Sequence, residues 1–271
     1  MKLGLIGKKL SHSKSPEIHQ RLFGLQHIDG TYSLLEIQPD SIETILSKLY
    51  HDGYEGINVT IPYKIDIMPF LTKISQEAVS IGAVNTIHLT DQGFFGFNTD
   101  YSGFSRSLDH AGIRIQDTDC VVLGTGGAAR AIIQSLFDKG AASIIVVSRH
   151  PRSKPAFCKF LEQIGGREID YDELARLQTG GVLVNCTPVG MYPKMDDSPV
   201  SEDIVSRYGA VVDLIYNPRD TIFLQYGKKH GAMTLNGMYM LVAQAIGAEE
   251  IWQGKSISSS VIEKIVKEMG E

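Results

Sequence analysis

Gly124-Thr-Gly-Gly-Ala-Ala129 is the segment that most restricts what this chain can fold into. It stands directly after a short apolar run, Cys120-Val-Val-Leu123, and opens a helical stretch from Ala128 to Lys139 that Gly140 closes. A second apolar run, Ser143 to Val147, follows. Strand, glycine turn, helix and strand make one βαβ unit, which requires a parallel sheet and a right-handed crossover. The turn itself fits G-x-G-x-x-G/A. Gly124 permits the tight turn, and Gly126 lets backbone approach a pyrophosphate. The small side chain of Ala129 lets helix pack closely on strand, with the helix N-terminus facing the phosphates. A lone glycine pattern is weak, but the strand before it and the helix and strand after it supply the context that a dinucleotide site needs.

The end of the second strand selects the cofactor. A carboxylate there would bind the ribose hydroxyls of NAD. Ser148-Arg-His-Pro-Arg-Ser-Lys154 contains no Asp or Glu, and offers Arg149, Arg152 and Lys154 to a 2′-phosphate. A solvated basic loop is the competing explanation. The position of the cluster relative to Gly124 favours NADP.

Alternation of strand-like and helix-like segments along the chain gives an α/β architecture. Strands are expected at Lys2 to Gly7, Thr31 to Ile37, Gly56 to Thr60, Ala83 to Leu89, Phe94 to Phe97, Val182 to Val184 and Val211 to Asp213. Helices are expected from Ser15 to about Gly24, with Pro16 in the first turn. Others follow from a capping box at Asp40-Ser-Ile-Glu43 to about Tyr50, from Tyr101 to Gly112, and from Thr221 to His230. Two more lie in the tail between Gly237 and Glu268. A hairpin turn at Asp91-Gln-Gly93 pairs the strands on either side of it. That pairing brings Asn85 opposite a residue between Asn98 and Asp100, so Asn85 and Asp100 converge.

Two further segments carry chemistry. His12-Ser-Lys-Ser-Pro16 leads into a helix N-terminus, where Ser13 and Ser15 suit either an anion or plain capping. Asn58-Val-Thr-Ile-Pro-Tyr-Lys64 supplies a lysine, and Asn98-Thr-Asp100 a carboxylate. Hydride transfer to a carbonyl needs a group to handle the proton on oxygen, and a second to orient it. Pro62 is expected in the first turn of a helix whose positive end disfavours charge on Lys64, with Asp100 acting the other way. For Lys64 the competing fate is an exposed surface lysine, and for Asp100 a helix cap before Tyr101.

These motifs, with Gly82-Ala-Val-Asn-Thr86, Asn185-Cys-Thr-Pro-Val-Gly-Met191, Asp213-Leu-Ile-Tyr216 and Met240-Leu-Val-Ala-Gln244, together resemble the shikimate dehydrogenase family, in order and over nearly the whole chain. The resemblance implies NADP-dependent, reversible reduction of 3-dehydroshikimate to shikimate in aromatic amino acid biosynthesis. It implies a catalytic pair, Lys64 and Asp100, and substrate contacts from Ser13, Ser15, Thr60, Asn85, Tyr216 and Gln244. On the cofactor side it implies Gly124, Thr125, Gly126, Gly127, Ala128, Ser148, Arg149, Thr187, Leu214 and Gly237, to which the basic turn adds Arg152. It further implies a substrate domain of residues 1–101 plus 237–271 and a Rossmann-like nucleotide domain of residues 102–236, with the active site in the cleft between them. The chain departs from the family pattern at Lys9, often proline, at Ser148, commonly asparagine, and at Cys186, usually alanine.

Bulk properties fit a soluble cytoplasmic protein. A formal charge of -5 without a basic block argues against a nucleic-acid surface. Three unclustered cysteines, Cys120, Cys158 and Cys186, read as free thiols of a reducing cytoplasm. The apolar N-terminus is too short for a signal peptide, no run is long enough to span a membrane, and no pair of histidines has metal spacing. The expected partner is a small molecule, with no metal, and both a monomer and a homodimer fit the sequence. The competing readings are an enzyme that also oxidises quinate with relaxed cofactor use, and a non-catalytic dinucleotide-dependent regulator.

Overall fold

A computed structural model describes residues 1–178 and 180–270. It divides into two units, Met1–Gly103 with the chain from Val242 onward, and Phe104–Leu241. The first unit contains β1 (Lys2–Gly7), α1 (Ser15–Gln26), β2 (Thr31–Glu36), α2 (Ile42–His51), β3 (Gly56–Val59), β4 (Lys73–Ile74), α3 (Gln76–Ile81), β5 (Thr86–Thr90) and β6 (Gly93–Phe97). After α4 (Thr99–His110), the second unit contains β7 (Asp119–Leu123), α5 (Ala129–Asp138), β8 (Ser143–Val147), α6 (Pro155–Gln163), β9 (Arg167–Ile169), α7 (Tyr171–Arg176), β10 (Val182–Asn185), α8 (Glu202–Val205), β11 (Ala210–Asp213), α9 (Ile222–Lys229) and β12 (Met233–Leu235). α10 (Met238–Gln253) and α11 (Ser259–Glu268) follow. Among the described residues no helix is long and apolar enough to cross a membrane.

The sheet of the first unit has the order β2-β1-β3-β5-β6-β4. β1 pairs in parallel with β2 on one side and β3 on the other, and β5 then pairs antiparallel with both β3 and β6. Chain order therefore reverses between β1 and β3, and the carboxyl ends of strands at such a switch point are where open α/β sheets bind ligands. Alternating side chains of β1 serve two cores: Ile6 packs with Leu46 and Leu49 of α2, while Leu3 packs with Phe23 and Trp252. Gly56 is glycine because Trp252 lies across it. A Cβ there would fall 2.3 Å from the indole, whose Nε1 donates to the Ile87 carbonyl at 2.9 Å.

The second sheet has the order β12-β11-β10-β7-β8-β9 and is parallel throughout. Counted from β7, this is the 3-2-1-4-5-6 order of the Rossmann fold, with its switch point between β7 and β10. Its core is the row of valines, leucines and isoleucines on β7, β8 and β10, covered on one face by Ile132, Ile133 and Leu136 of α5, and on the other by Phe223 and Leu224 of α9.

Four local expectations are corrected. α1 continues through Gly24 to Gln26 and stops at His27, whose φ of 55° is left-handed. The capping box at Asp40 to Glu43 does not form: a 3₁₀ turn over Pro39–Ser41 precedes α2, and Ser41 makes no side-chain cap. Residues 83–85 precede β5 rather than belonging to it. Residues 61–67 are turns rather than a helix, and the Ile61–Pro62 peptide is cis. No helix in this segment therefore directs a dipole at Lys64. The competing role of Asp100 as a helix cap is filled by Asn98, whose Oδ1 accepts from the Tyr101 amide at 3.3 Å while Asp100 lies in the first turn of α4.

Candidate active site

β3 ends at Val59, and the chain turns through 60–67. The Tyr63 amide donates to the Thr60 carbonyl at 3.0 Å, and the Lys64 carbonyl accepts from Val84 at 2.8 Å. Tyr63 is buried and its hydroxyl donates to the Ile37 carbonyl at 2.7 Å, which anchors the turn in the core. Lys64 is thereby held with its ammonium donating to Asp100 Oδ2 in a largely buried ion pair. The competing fate of Lys64, a free surface lysine, is excluded.

The hairpin register places Thr86 opposite Phe97, and the Asn85 amide donates to the Phe97 carbonyl at 3.0 Å. Asn85 then meets Thr99, as the pairing argument required. Its Oδ1 accepts from the Thr99 amide at 2.7 Å, and its Nδ2 donates to Thr99 Oγ1 at 3.1 Å. Asn85 is buried, and that single donation leaves the second hydrogen of Nδ2 for another acceptor.

Beneath these groups runs a polar network to which the sequence reading gave no role. Asn58 Nδ2 donates to Thr86 Oγ1 at 3.0 Å, Thr86 Oγ1 contacts Thr99 Oγ1 at 3.0 Å, and Tyr32 donates to Asn58 Oδ1 at 2.7 Å. Burial pushes the Tyr32 phenol well above the usual range. His19 stacks on the Tyr32 ring at 4.0 Å, and its Nδ1 pairs with Glu249 at 2.7 Å, both side chains fully buried. The available signal was Asn58 itself, a carboxamide inside an otherwise apolar strand.

Ser13 and Ser15 stand at the start of α1, where Ser13 Oγ accepts from the Ser15 amide at 3.3 Å. Ser13 thus takes up the first amide of α1 from outside the helix, while the cap position, Lys14, makes no side-chain cap. Gln244 lies on α10 in the first unit, whereas Tyr216 follows β11 in the second. Lys64, Asp100, Asn85, Thr60, Ser13 and Ser15 all follow or adjoin β1 and β3, which flank the switch point, or the neighbouring β5 and β6.

In the second unit Gly124 has φ +97°, and a Cβ there would strike Thr187 Cγ2 at 2.8 Å. At Gly126 a Cβ would meet only the Cys186 carbonyl at 3.7 Å, so the protein itself leaves that space open. α5 begins at Ala129, with Ala128 giving no side-chain cap and no acid in the first turn. Uncapped amides beside open space at a switch point fit a pyrophosphate. Thr187 donates from N and Oγ1 to Asn185 Oδ1 at 2.9 and 2.7 Å. Asn185 Nδ2 in turn reaches Asp213 at 3.0 Å, which also takes Thr221 at 2.7 Å. Burial lifts the Asp213 carboxyl to about 6 against the pull of these hydrogen bonds. The Leu214 amide donates to the Asn185 carbonyl at 3.1 Å, and Gly237 comes so close that a Cβ would lie 2.0 Å from the Leu214 carbonyl.

The basic turn departs from expectation in two respects. Lys154 is turned onto Thr125, donating to its carbonyl at 2.9 Å and to Oγ1 at 3.1 Å. A carboxylate is also present: Glu168, on a strand the sequence reading missed, accepts from Ser148 Oγ at 2.7 Å. Arg149 and Arg152 are exposed. Among the described residues no cluster of His, Cys, Asp and Glu is arranged to hold a metal.

A glycine turn at the switch point of a 3-2-1-4-5-6 sheet, in a chain whose other sheet bears a lysine–aspartate pair, places the protein in the class of α/β dehydrogenases that use a nicotinamide dinucleotide. Residues 5–87 match the model of the shikimate dehydrogenase substrate binding domain. A shikimate dehydrogenase (NADP(+)) of Clostridium beijerinckii is 46% identical over 92% of this chain and 91% of that protein. A chorismate mutase/shikimate 5-dehydrogenase fusion protein from Clostridium acetobutylicum superposes with a TM-score of 0.94 at 42% identity, covering 99% and 96% of the two chains. A shikimate dehydrogenase solved in complex with NADP+ gives 0.88 at 33% identity, covering 99% and 95%. The chain belongs to the shikimate dehydrogenase family.

Proposed function

We propose that the protein catalyses the NADP-dependent, reversible reduction of 3-dehydroshikimate to shikimate. The observation that carries this reading is the buried Lys64–Asp100 ion pair at the switch point of the first sheet. Gly124 to Ala128 would hold the pyrophosphate of NADP(H), which when bound would supply the hydride to C3 of the substrate or take it back. Lys64 gives the proton to the C3 oxygen in reduction and takes it back in oxidation. Asp100 accepts from Lys64, which fixes the ammonium's direction, and its remaining lone pairs suit the adjacent hydroxyl. The second amide hydrogen of Asn85 and the side chain of Gln244 suit the other ring hydroxyls, with Thr60 and Tyr216 completing the set. Ser13 and Ser15 offer hydroxyls to the carboxylate. Ser148, Arg149 and Arg152 face the adenosine end, and Thr187, Leu214 and Gly237 line the rest of the cofactor's path. On this reading the first unit, which carries every substrate group named except Tyr216, is the substrate domain, and the second is the nucleotide domain.

Three free cysteines support a cytoplasmic location. Absorbance at the nicotinamide band tests the assignment. Shikimate with NADP+ should give rapid turnover, and quinate or NAD+ much less. Failure to turn over shikimate with either cofactor would remove the reading.

A further inference from the structure

We propose that Glu168 determines cofactor specificity: it shapes the basic turn from Ser148 to Arg152, and it limits the preference of that turn for NADP over NAD. The proposal rests on the assignment of this turn to the adenosine end of the cofactor. Glu168 lies in the middle of β9, opposite Val146 of β8. One carboxylate oxygen accepts from Ser148 Oγ at 2.7 Å and the other from the Arg152 amide at 2.9 Å. The Ser148 amide also donates to the Ile169 carbonyl at 3.1 Å. Both ends of the turn are therefore tied to one strand. Arg152 has φ 61°, a left-handed conformation unfavourable for a side chain, and the charge-assisted hydrogen bond holds it there.

The same bonds decide what the turn can recognise. An ionised carboxylate only accepts, so the Ser148 hydroxyl must spend its hydrogen on Glu168. It then presents lone pairs to the cofactor. Lone pairs suit the 2′-hydroxyl of NAD, which can donate, and not a 2′-phosphate, which only accepts. The negative charge of Glu168 adds repulsion against that phosphate, opposing Arg149 and Arg152. In Glu168→Gln the amide oxygen can keep the Arg152 bond while the amide nitrogen donates to Ser148 Oγ. The Ser148 hydrogen is then released toward the phosphate, and the repulsion is gone. Glu168→Ala loses both tethers.

Calorimetric titration of the full chain with NADP+ and with NAD+ tests this without turnover. Glu168→Gln should tighten NADP+ about tenfold relative to NAD+, and Glu168→Ala should bind NADP+ more weakly than Glu168→Gln. An unchanged or lowered NADP+/NAD+ ratio in Glu168→Gln overturns the effect on preference, and equal NADP+ affinity in the two variants overturns the shaping of the turn. Arg149→Gln separates the premise. If it weakens both cofactors equally, the turn is not the 2′-phosphate site and the proposal falls with that assignment. If it weakens NADP+ selectively while Glu168→Gln changes nothing, the proposal alone falls.

Discussion

Replacing Asp213 by asparagine should remove a loss of stability that the natural chain suffers as pH rises. Asp213 is fully buried at the end of β11, and burial lifts its pKa from 3.8 to about 6, outweighing the hydrogen bonds from Thr221, the Ile215 amide and Asn185. The unfolded chain ionises this group near its ordinary value. Between the two values the folded protein keeps a proton that the unfolded chain has released. Stability therefore falls as pH rises through that window, and the loss is complete above the folded value. A displacement of this size is worth about 3 kcal/mol. The carboxamide of Asp213→Asn can keep every bond, its oxygen accepting from Asn185 and the Ile215 amide while its nitrogen donates to the Thr221 hydroxyl. Urea unfolding of both proteins from about pH 4 to about pH 7.5 should show the advantage of Asp213→Asn growing by about 2–3 kcal/mol and levelling off near the top of the range. A difference that stays flat with pH, or shrinks, refutes the account of a carboxyl strained by burial.

Three other outcomes are expected. Lys64→Ala should lower kcat about 10²–10⁴-fold while changing the KM for shikimate far less, and near-normal turnover would exclude Lys64 as the acid–base. Tyr32→Phe leaves the buried Asn58 Oδ1 without its donor and should cost about 1–3 kcal/mol in urea unfolding, with a raised KM for shikimate; an unchanged midpoint would show that the network is not under tension there. Gly56→Ala must push against the chain's single tryptophan, Trp252, and should lower stability by about 1–3 kcal/mol with a red-shifted emission; an unshifted spectrum would mean the indole is not displaced.

The sequence by itself determined the kinds of element and the chemistry available. Apolar runs bounded by glycines announced β7, α5 and β8, because periodicity and turn propensity act over a few residues. The two-residue hairpin set the register that joins Asn85 to Thr99, since a short turn leaves one alignment. It could not show which end of a polar segment turns inward. Pro62 read as a helix start, yet the chain makes a turn there, and of the two roles open to Asp100, helix cap or partner of Lys64, the cap is taken by Asn98 instead. Only tertiary structure decided the partners. Lys64 and Asp100 meet across 36 positions, Asn185 and Asp213 across 28, and Ser148 and Glu168 across 20. Glu168 shows why: β9 is three residues long, too short for a pattern to declare it, and its carboxylate reaches Ser148 and Arg152 because parallel pairing sets it beside β8. Strand order and register are properties of the whole sheet, and they alone determine which distant side chains share a site.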